Sequence, residues 1–440
     1  MISPVVDFML DIRLIRQNPK EIRENLERRG NPEKIKLLDE LIQADAEWRR
    51  LTQEVDNLRK QRNLLSRQVA ELKKGGKDAS SVLNQVELIP SQIKELEVRA
   101  NQFSNRAQEI LKRLPNLLHE SVPLGKDEQD NVVIRTWGNP PKFSFPPKNH
   151  LEIATELRLI DTERAARIAG SGFVYLRDKL ALLDYAIQRF ALDFLGGRGF
   201  VAIEPPFMMN REAYEGVTDL ADFESVMYKI EGEDLYLIAT SEHPMAAMFH
   251  DEVLLRDHLP IKLAGVSPCF RKEVGAHGKY TKGLYRMHQF NKIEQFIFCM
   301  PEESWSLHEE LQRNSEDLYQ KLELPYRVVN CCSGEMGAVG AKRYDTEVWM
   351  ADGNYREIGS NSNCTDYQAR SLNTKYREGE GKPPAGFVHT LNNTALATSR
   401  TMMAILEIHQ REDCSVHIPK ALQPYMGNSE EITKADWKPK

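Results

Sequence analysis

The stretch of sequence that decides the fold spans residues 261–294 and reads IKLAGVSPCFRKEVGAHGKYTKGLYRMHQFNKIE. Two apolar runs flank a polar, glycine-bearing loop from Val274 to Gly283, which predicts two antiparallel strands joined by that loop. Because side chains alternate between the faces of a strand, Arg271 and Glu273 should share one face of the first strand. One face of the second strand should carry Arg286, His288, Phe290, Lys292 and Glu294. A face lined with Arg, Phe and Glu is a poor core and favours a charged planar ligand.

Around this hairpin, short β-branched and aromatic runs alternate with loops and a few helices. An amphipathic helix is predicted at 179–195, and the apolar runs lie at 200–203, 236–238, 261–266, 284–299, 326–331, 347–351 and 386–391. Successive runs joined by turns indicate a mostly antiparallel sheet. The predicted fold class of this part of the chain is therefore α+β rather than doubly wound α/β.

Toward the N-terminus, apolar residues recur at alternating spacings of three and four in two long segments. The first segment carries Leu41, Ala44, Trp48, Leu51, Val55, Leu58, Arg62, Leu65, Val69 and Leu72, and the second carries Val86, Ile89, Ile93, Leu96, Ala100, Phe103, Ala107, Ile110 and Leu114. This spacing is typical of a coiled-coil seam. The Gly75-Gly76 turn between the segments predicts an antiparallel hairpin that projects as an arm. Pro90 predicts either a kink in the return helix or the start of that helix.

The chain has 440 residues, which exceeds the usual size of a single domain. We predict an N-terminal domain at 1–118 whose coiled-coil arm covers about 34–114, a linker at 119–150 and a catalytic domain at 151–440. The linker is placed where the helical period gives way to six prolines and two glycines between 115 and 147.

A formal net charge of −6 is unusual for a nucleic-acid-binding protein, but the basic residues are concentrated in one place. Between Arg59 and Lys77, seven basic residues accompany a single acidic residue, Glu71. Such a run is either a solvated helix surface, which is the commoner meaning, or a footprint for a phosphate backbone.

Several protein classes are disfavoured by signatures that the sequence lacks. The six cysteines have neither the spacing of a disulfide framework nor that of a zinc site, which predicts a reducing compartment and no zinc. No apolar run approaches the roughly 20 residues needed to span a bilayer, so a soluble, cytosolic protein is expected. The signatures of P-loop proteins, dinucleotide-binding folds, serine hydrolases and zinc proteases are also missing.

Three stretches in order resemble the motifs of class II aminoacyl-tRNA synthetases. Residues 199–206 (GFVAIEPP) resemble motif 1, 270–273 (FRKE) with 286–294 (RMHQFNKIE) resemble motif 2, and 392–400 (NNTALATSR) resemble motif 3. Within that class, 240–242 (TSE), 357–360 (EIGS) and the helical hairpin are similar to seryl-tRNA synthetases of the common type without zinc in the active site, over nearly the whole chain. Motif 3 usually has a glycine before its arginine, where this chain has Ser399 before Arg400.

This resemblance implies an enzyme that activates L-serine with ATP and Mg²⁺ and transfers it to the 3′ end of tRNA(Ser), and of tRNA(Sec) where that tRNA is present. It also implies a homodimer formed through motif 1, and binding of tRNA through its long variable arm and its acceptor end. The carboxylate of serine and the α-phosphate of ATP are both negative, so the site must neutralise both. Arg271 suits this role because a guanidinium can bond carboxylate and phosphate oxygens in a fork.

By resemblance, the catalytic residues are Arg271 and Arg400. The implied ATP-binding residues are Arg271, Lys272, Glu273, Arg286, Met287, Phe290, Glu357, Ile358, Gly359, Ser360 and Arg400, of which Glu357 and Ser360 match the Mg²⁺ positions. The implied serine-binding residues are Thr240, Ser241, Glu242, Arg271, Glu294, Asn392 and Thr394. The implied tRNA-binding residues are Arg59, Lys60, Arg62, Arg67, Lys73, Lys74 and Lys77.

Two alternative functions are open at this point. One is a related ligase that makes seryl-adenylate but passes serine to a carrier protein or a non-standard acceptor; the arm counts against it, because carrier-protein ligases with this core lack the hairpin. The other is a coiled-coil scaffold with a vestigial catalytic body; the full set of charged ligands counts against it, because vestigial sites lose such residues first.

Overall fold

The computed structural model describes residues 10–218, 224–273 and 283–436. The predicted loop at 274–283 therefore lies outside the described residues, apart from Gly283. Contacts divide the chain into two units, Met1–Pro115 and Asn116–Lys440. Among the described helices, none combines the length and the apolar character required to cross a bilayer.

The first unit is built from four helices, α1 (Ile12–Gln17), α2 (Pro19–Glu27), α3 (Pro32–Lys74) and α4 (Ser80–Leu111). Helices α3 and α4 form the predicted hairpin, with Gly75 as the C-cap of α3 and Gly76 at a positive φ of 68°. The seam is buried at Leu41, Leu51, Val55, Ile89, Ile93, Ala100 and Ala107. The α3 helix of 43 residues would be roughly 65 Å long at about 1.5 Å per residue.

Pro90 lies inside α4, which begins ten residues earlier at Ser80. The alternative that the return helix starts at Pro90 is therefore wrong. The other alternative, a kink, stays a prediction, and its physical basis is the missing N–H of proline within the helix.

The second unit contains helices α5 (His150–Glu156), α6 (Thr162–Ala169), α7 (Asp178–Gly196), α8 (Arg211–Val217), α9 (Glu242–Ala246), α10 (Ser304–Lys321), α11 (Tyr367–Ser371) and α12 (Thr398–Ile408). Its strands are β1 (Val132–Trp137), β2 (Ile160–Asp161), β3 (Tyr175–Leu176), β4 (Val201–Ile203), β5 (Met208–Met209), β6 (Tyr236–Leu237), β7 (Val253–Leu255), β8 (Ile261–Phe270), β9 (Gln289–Cys299), β10 (Tyr326–Asn330), β11 (Lys342–Trp349), β12 (Tyr355–Thr365), β13 (Lys375–Arg377), β14 (Gly386–Phe387), β15 (His389–Ala397), β16 (Val416–His417) and β17 (Glu431–Ile432).

The central sheet has eight strands in the order β1-β10-β11-β12-β15-β9-β8-β4. All of its neighbouring pairs are antiparallel except β4 with β8. The α+β fold with an antiparallel sheet is thus confirmed. The predicted linker at 119–150 includes β1, which pairs with β10 from Val132 opposite Asn330 to Trp137 opposite Tyr326. The three-part division of the chain stays a prediction.

Alternation along β9 separates the core from the opposite face of the sheet. Ile293 and Ile297 belong to the hydrophobic core that also contains residues of α7, α10 and α12. Gln295 donates from Nε2 to the carbonyl of Leu311 in α10 at 3.3 Å. The residues that alternate with these three point to the other face, where Lys292 and Glu294 line a cavity.

Candidate active site

A cavity of about 730 Å³ lies against the face of the sheet formed by β9, β12 and β15. The structure brings most of the predicted site residues together along its wall. They are Thr240, Glu242, Arg271, Glu273, Arg286, Met287, Phe290, Glu294, Glu357, Ile358, Gly359, Ser360, Asn392, Thr394 and Arg400. Because these residues come from distant parts of the chain, the fold assembles a single site from separate segments of the sequence.

Two of the residues predicted to bind ATP or serine, Lys272 and Ser241, are not part of the cavity wall. The backbone N–H of Lys272 donates to the carbonyl of Val226 at 2.9 Å, and its Nζ lies 5.9 Å from the ring centroid of Tyr228. The hydroxyl of Ser241 is buried and donates to the carbonyl of Gly265 at 3.4 Å. Lys272 and Ser241 therefore support the wall without lining the cavity themselves.

At one end of the cavity, aromatic and cationic groups lie together. The guanidinium of Arg271 is 5.3 Å from the ring centroid of Phe290, and its Nε donates to the carbonyl of Ala239 at 3.2 Å. Arg286 donates from Nη1 to the carboxylate of Glu273 at 3.3 Å. An aromatic ring beside guanidinium groups suits a nucleobase and its phosphates.

Strand alternation does not place Arg271, Glu273, Arg286 and His288 as predicted. Strand β8 ends at Phe270, and β9 begins at Gln289. Glu273 has a positive φ of 49°, which no continuing strand adopts. His288 lies outside the cavity wall, where it stacks on Phe173 with centroids 5.1 Å apart.

The third arginine of the site, Arg400, follows β15 in the first turn of α12. Its Nη1 donates to the backbone carbonyl of Glu357 at 2.9 Å and lies 3.3 Å from the Glu357 carboxylate. Its guanidinium is also 4.8 Å from the ring centroid of Tyr285. Loss of solvation alone would raise the pKa of Glu357, but Arg400, then Arg343 and Arg271, hold that pKa below its ordinary value. Glu357 is therefore an anion at neutral pH.

A buried ion pair lies deeper in the cavity. Glu294 is 1 % exposed, and its Oε2 is 2.5 Å from Nζ of Lys292. Thr394 donates its hydroxyl to the same oxygen at 3.2 Å. A buried charge of this kind is costly unless it is paired and hydrogen-bonded, and here both conditions are met.

A second carboxylate, that of Glu242, lies close to this pair. It accepts from Asn392 Nδ2 at 3.1 Å and from Gln368 Nε2 at 3.4 Å. Burial, followed by repulsion from Glu294, raises the pKa of Glu242 to about 7. The neighbouring His243 is neutral, because burial lowers its pKa to about 3.

The predicted Mg²⁺ positions, Glu357 and Ser360, offer one carboxylate and one hydroxyl to the cavity. In the part of the chain that the structure describes, no cluster of three His, Cys, Asp or Glu residues could hold a metal ion alone. Oxygen donors in such small number fit Mg²⁺, which usually takes one or two protein oxygens and completes its shell with phosphates and water.

Several residues of the cavity wall were not selected from the sequence. They include Lys292, Tyr285, Arg343, Cys364 and the loop residues 336–340. Lys292 was expected on the same strand face as Phe290 and Glu294, but it was given no role in the site. Arg343 carries no comparable signal, since the pairing of β11 with β12 is what places it beside Ser362. All six cysteines, Cys364 included, are buried free thiols.

The basic residues predicted to bind tRNA belong to the first unit. Lys60, Arg62, Arg67, Lys73, Lys74 and Lys77 lie on α3 and its C-terminal turn, and all six are exposed. Arg59 is half-buried, and its Nη2 donates to Glu97 on α4 at 2.7 Å. Arg59 thus ties the two helices of the hairpin together.

Comparison with known families agrees with the fold. Residues 226–409 match the family model described as tRNA synthetase class II core domain (G, H, P, S and T). Residues 9–118 match the family model of the seryl-tRNA synthetase N-terminal domain. The second unit thus contains a class II aminoacyl-tRNA synthetase core.

Relatives that match nearly the whole chain identify the family within this class. The serine–tRNA ligase of Methanocella arvoryzae is 52% identical over 423 residues, which is 96% of this chain and 100% of the relative. The crystal structure of seryl-tRNA synthetase from Pyrococcus horikoshii complexed with ATP superposes with a TM-score of 0.94 at 46% identity, covering 97% of this chain and 100% of that one. The cytoplasmic serine–tRNA ligase of Naegleria fowleri in complex with AMP gives a TM-score of 0.89 at 35% identity, covering 97% and 99%. The chain belongs to the seryl-tRNA synthetase family, which confirms the resemblance found in the sequence.

Proposed function

We propose that this chain is a serine–tRNA ligase that activates L-serine with ATP and transfers it to the 3′ end of tRNA(Ser). The observation that carries the proposal is the content of a single cavity. Arg271, Arg286 and Arg400 surround one part of it, and the buried Glu294 with Thr394 lies in another. The first set suits a nucleoside triphosphate, and the second suits a small hydroxylated amino acid.

In the first step, a carboxylate oxygen of serine attacks the α-phosphorus of ATP, and the bond from that phosphorus to the β-phosphate oxygen breaks. Pyrophosphate leaves with the electron pair, and seryl-adenylate remains. Arg271 would bridge the two anionic groups, while Arg286 and Arg400 hold the triphosphate and Phe290 stacks on adenine. The carboxylate is already the nucleophile, so the step needs no general base.

Mg²⁺ would neutralise phosphate charge in this step, held by Glu357 and Ser360. The low pKa of Glu357 supports this assignment, because its carboxylate is available without loss of a proton. Lys272, Glu273, Met287, Ile358 and Gly359 complete the proposed ATP site, with Lys272 acting from behind the wall.

Serine would be recognised through its ammonium group and its side-chain hydroxyl. Glu242 and Asn392, hydrogen-bonded to each other, would bind the ammonium together with Thr240, and Ser241 would support them from behind. Glu294 and Thr394 would bind the side-chain hydroxyl. Alanine lacks that hydroxyl and would leave buried polar groups unpaired, a loss that can reach roughly 10⁴-fold in discrimination.

In the second step, a hydroxyl oxygen of the terminal ribose of tRNA attacks the carbonyl carbon of the adenylate. The carbonyl carbon–oxygen bond to the phosphate breaks, AMP leaves with the electron pair, and the hydroxyl proton passes to the departing phosphate or to water. The basic residues of α3, from Arg59 to Lys77, would bind phosphates of the long variable arm. Charging of tRNA(Sec), action in the cytosol and a homodimer formed through motif 1 are parts of the same proposal.

The test is a pair of assays on purified protein. Serine-dependent exchange of pyrophosphate into ATP measures the first step, and charging of tRNA(Ser) measures both steps. We expect both activities. Protein without exchange would refute the ligase, and exchange without charging of either tRNA would favour an acceptor that is a carrier protein.

A further inference from the structure

A buried histidine and a buried glutamate lie between the segments that carry the proposed ligands of the triphosphate. His150 is 2% exposed, and Glu407 is fully buried. Nδ1 of His150 lies 2.7 Å from Oε1 of Glu407. Neither side chain lines the cavity, and the proposed reaction gives neither a role. Because buried polar groups are costly unless they are hydrogen-bonded, the partners of this pair indicate what it holds in place.

Three N–H groups converge on the carboxylate of Glu407. Besides Nδ1, the backbone N–H of His150 donates to Oε1 at 3.0 Å, and the backbone N–H of Ala351 donates to Oε2 at 3.2 Å. His150 is the first residue of α5, where backbone N–H groups bond to acceptors beyond the end of the helix. Ala351 lies in the turn between β11 and β12. The carboxylate thus joins α5 and this turn to α12.

The other ring nitrogen contacts the backbone that leads into the second part of motif 2. Nε2 of His150 accepts from the backbone N–H of Leu284 at 3.4 Å, which assigns the donor role to Nδ1. Gly283 precedes Leu284 with a φ of 79°, and a Cβ added to Gly283 would lie 2.7 Å from Nε2. The imidazole ring therefore packs directly against the backbone at 283–284.

This backbone continues into two residues of the cavity wall. Tyr285 and Arg286 follow Leu284 directly, and the ring centroid of Tyr285 lies 4.8 Å from the guanidinium of Arg400. A displacement of Leu284 from His150 would therefore move the tyrosine and the arginine together. In a site that aligns two reactants, a misplacement of about 1 Å can cost roughly 10²-fold in rate.

Glu407 is connected to the other two proposed ligands of the triphosphate and its Mg²⁺. Arg400 lies seven residues before Glu407 on α12, which is about two turns, so both side chains are on the same side of the helix. Glu357 lies on β12, six residues after Ala351, and its backbone carbonyl accepts from Arg400 at 2.9 Å. The pair is thus bonded to the segments that bring Arg286, Arg400 and Glu357 to the cavity.

We propose that the buried His150–Glu407 pair positions Arg286, Arg400 and Glu357 for the triphosphate of ATP. The pair touches no substrate, so its residues are positioning residues, and their role rests on the proposed function. The proposed serine ligands Glu242 and Glu294 lie on other elements, α9 and the middle of β9. Loss of the pair should therefore affect ATP more than serine.

Two amide variants of His150 separate positioning from support of the fold. His150→Asn keeps an N–H near the place of Nδ1, so it retains the bond to Glu407 and loses the acceptor for Leu284. His150→Gln brings its amide oxygen near the place of Nε2, so it retains the acceptor and loses the ring bond to Glu407. In pyrophosphate exchange, we expect His150→Asn to raise KM for ATP at least fivefold and KM for serine less than twofold. KM for ATP in His150→Gln should lie closer to that of the unmodified protein.

A purely structural role predicts the reverse order. The bond to Glu407 is buried, so His150→Gln would then have both the lower Tm and the larger kinetic defect. That order, or an equal rise of both KM values in His150→Asn, would overturn the proposal. His409→Asn is the matched control, because His409 ends the same helix and its Nε2 donates to the carbonyl of Leu322 at 2.9 Å. We expect this control to leave KM for ATP unchanged.

A double-mutant cycle tests whether His150 acts through Arg286. Kd for ATP with Mg²⁺ is measured by equilibrium dialysis in the unmodified protein, His150→Asn, Arg286→Ala and the double variant, so the result does not depend on turnover. We expect the effect of His150→Asn on Kd to be at least threefold smaller without Arg286, because residues that act through one another are not additive. The same fold change in both backgrounds would contradict the proposal. Absence of exchange in an unmodified protein that still binds ATP would instead count against the proposed function.

Discussion

At the scale of single residues, two carboxylates in one cavity have different environments. Glu294 is bonded to Lys292 and Thr394, whereas Glu242 accepts from the side-chain amides of Asn392 and Gln368. This difference fits their proposed roles, in which Glu294 binds the hydroxyl of serine and Glu242 binds its ammonium. Glu294 pairs with Lys292 beside the proposed hydroxyl site, whereas the pKa of Glu242 is raised to about 7, so its carboxylate forms only as the pH rises.

The first prediction concerns the hydroxyl of Thr394. In Thr394→Val, Glu294 loses a donor and serine loses one proposed partner, and such a loss costs about 1–3 kcal/mol. We expect KM for serine in pyrophosphate exchange to rise about tenfold or more, with KM for ATP changed much less. Thr401→Val is the control, because Thr401 is buried and its hydroxyl has no partner among the described residues. An equal rise in both KM values would argue against a serine-specific role.

The second prediction concerns pH. Since the pKa of Glu242 is raised to about 7, its carboxylate forms as the pH rises through 7. We expect kcat/KM for serine in exchange to rise with pH up to about 7 and to level off above it. His243 cannot cause this limb, because it is neutral down to a pKa of about 3. A limb near 7 that persists in Glu242→Gln would show that another group titrates.

At the scale of elements, the prediction of secondary structure was most accurate where a single periodicity governs packing. The hairpin of α3 and α4 follows from spacings of three and four, because the buried seam is the main reason for the pairing. Strands β8 and β9 stop short of Glu273 and Arg286, which were predicted to lie within them, and the positive φ of Glu273 marks the end of the extended backbone. Strand β1 was not predicted, because it lies in the proline- and glycine-containing stretch that was taken for a linker. Its position depends on pairing with β10 rather than on a pattern of its own.

The candidate site shows the same limit. Residues of the recognised motifs could be selected from the sequence, because each motif is contiguous. Arg343 and Tyr285 were not selected, because their place in the cavity wall depends on contacts between distant segments. Tyr285 reaches the site as the ring beside Arg400, and no local pattern indicates that neighbour.

The third prediction belongs to α3. Lys73 and Lys74 are exposed in its last turn, so the double variant Lys73→Glu/Lys74→Glu should weaken tRNA binding without affecting activation. We expect KM for tRNA(Ser) in charging to rise at least fivefold. The slope of log affinity against log salt should become shallower by roughly one for each phosphate that the variant no longer binds. Lys94→Glu, an exposed reversal on α4, is the control. Equal effects from both variants would indicate bulk charge rather than a specific face.

At the scale of the whole molecule, apolar side chains remain exposed on motif 1 and on the helix that precedes it. Leu182 and Tyr185 on α7 are 54% and 68% exposed, and Val201 on the edge strand β4 is 63% exposed. Helix α7 packs against β4, and large apolar groups exposed on packed elements are typical of an interface. Motif 1 leads into the sheet next to motif 2, since β4 pairs with β8. An interface there would therefore support the wall that carries Arg271.

The last prediction follows from this surface. We expect the protein to sediment as a dimer, and the double variant Leu182→Asp/Tyr185→Asp to sediment as a monomer, because charges would be buried without partners at a symmetric interface. If the interface supports the site, exchange should fall with dimer content and recover as protein concentration is raised. Met248→Asp is the control, because Met248 is 46% exposed on a different element. If the double variant is a monomer with full exchange activity, dimer formation is not required for activation. If the double variant remains a dimer, the interface lies elsewhere.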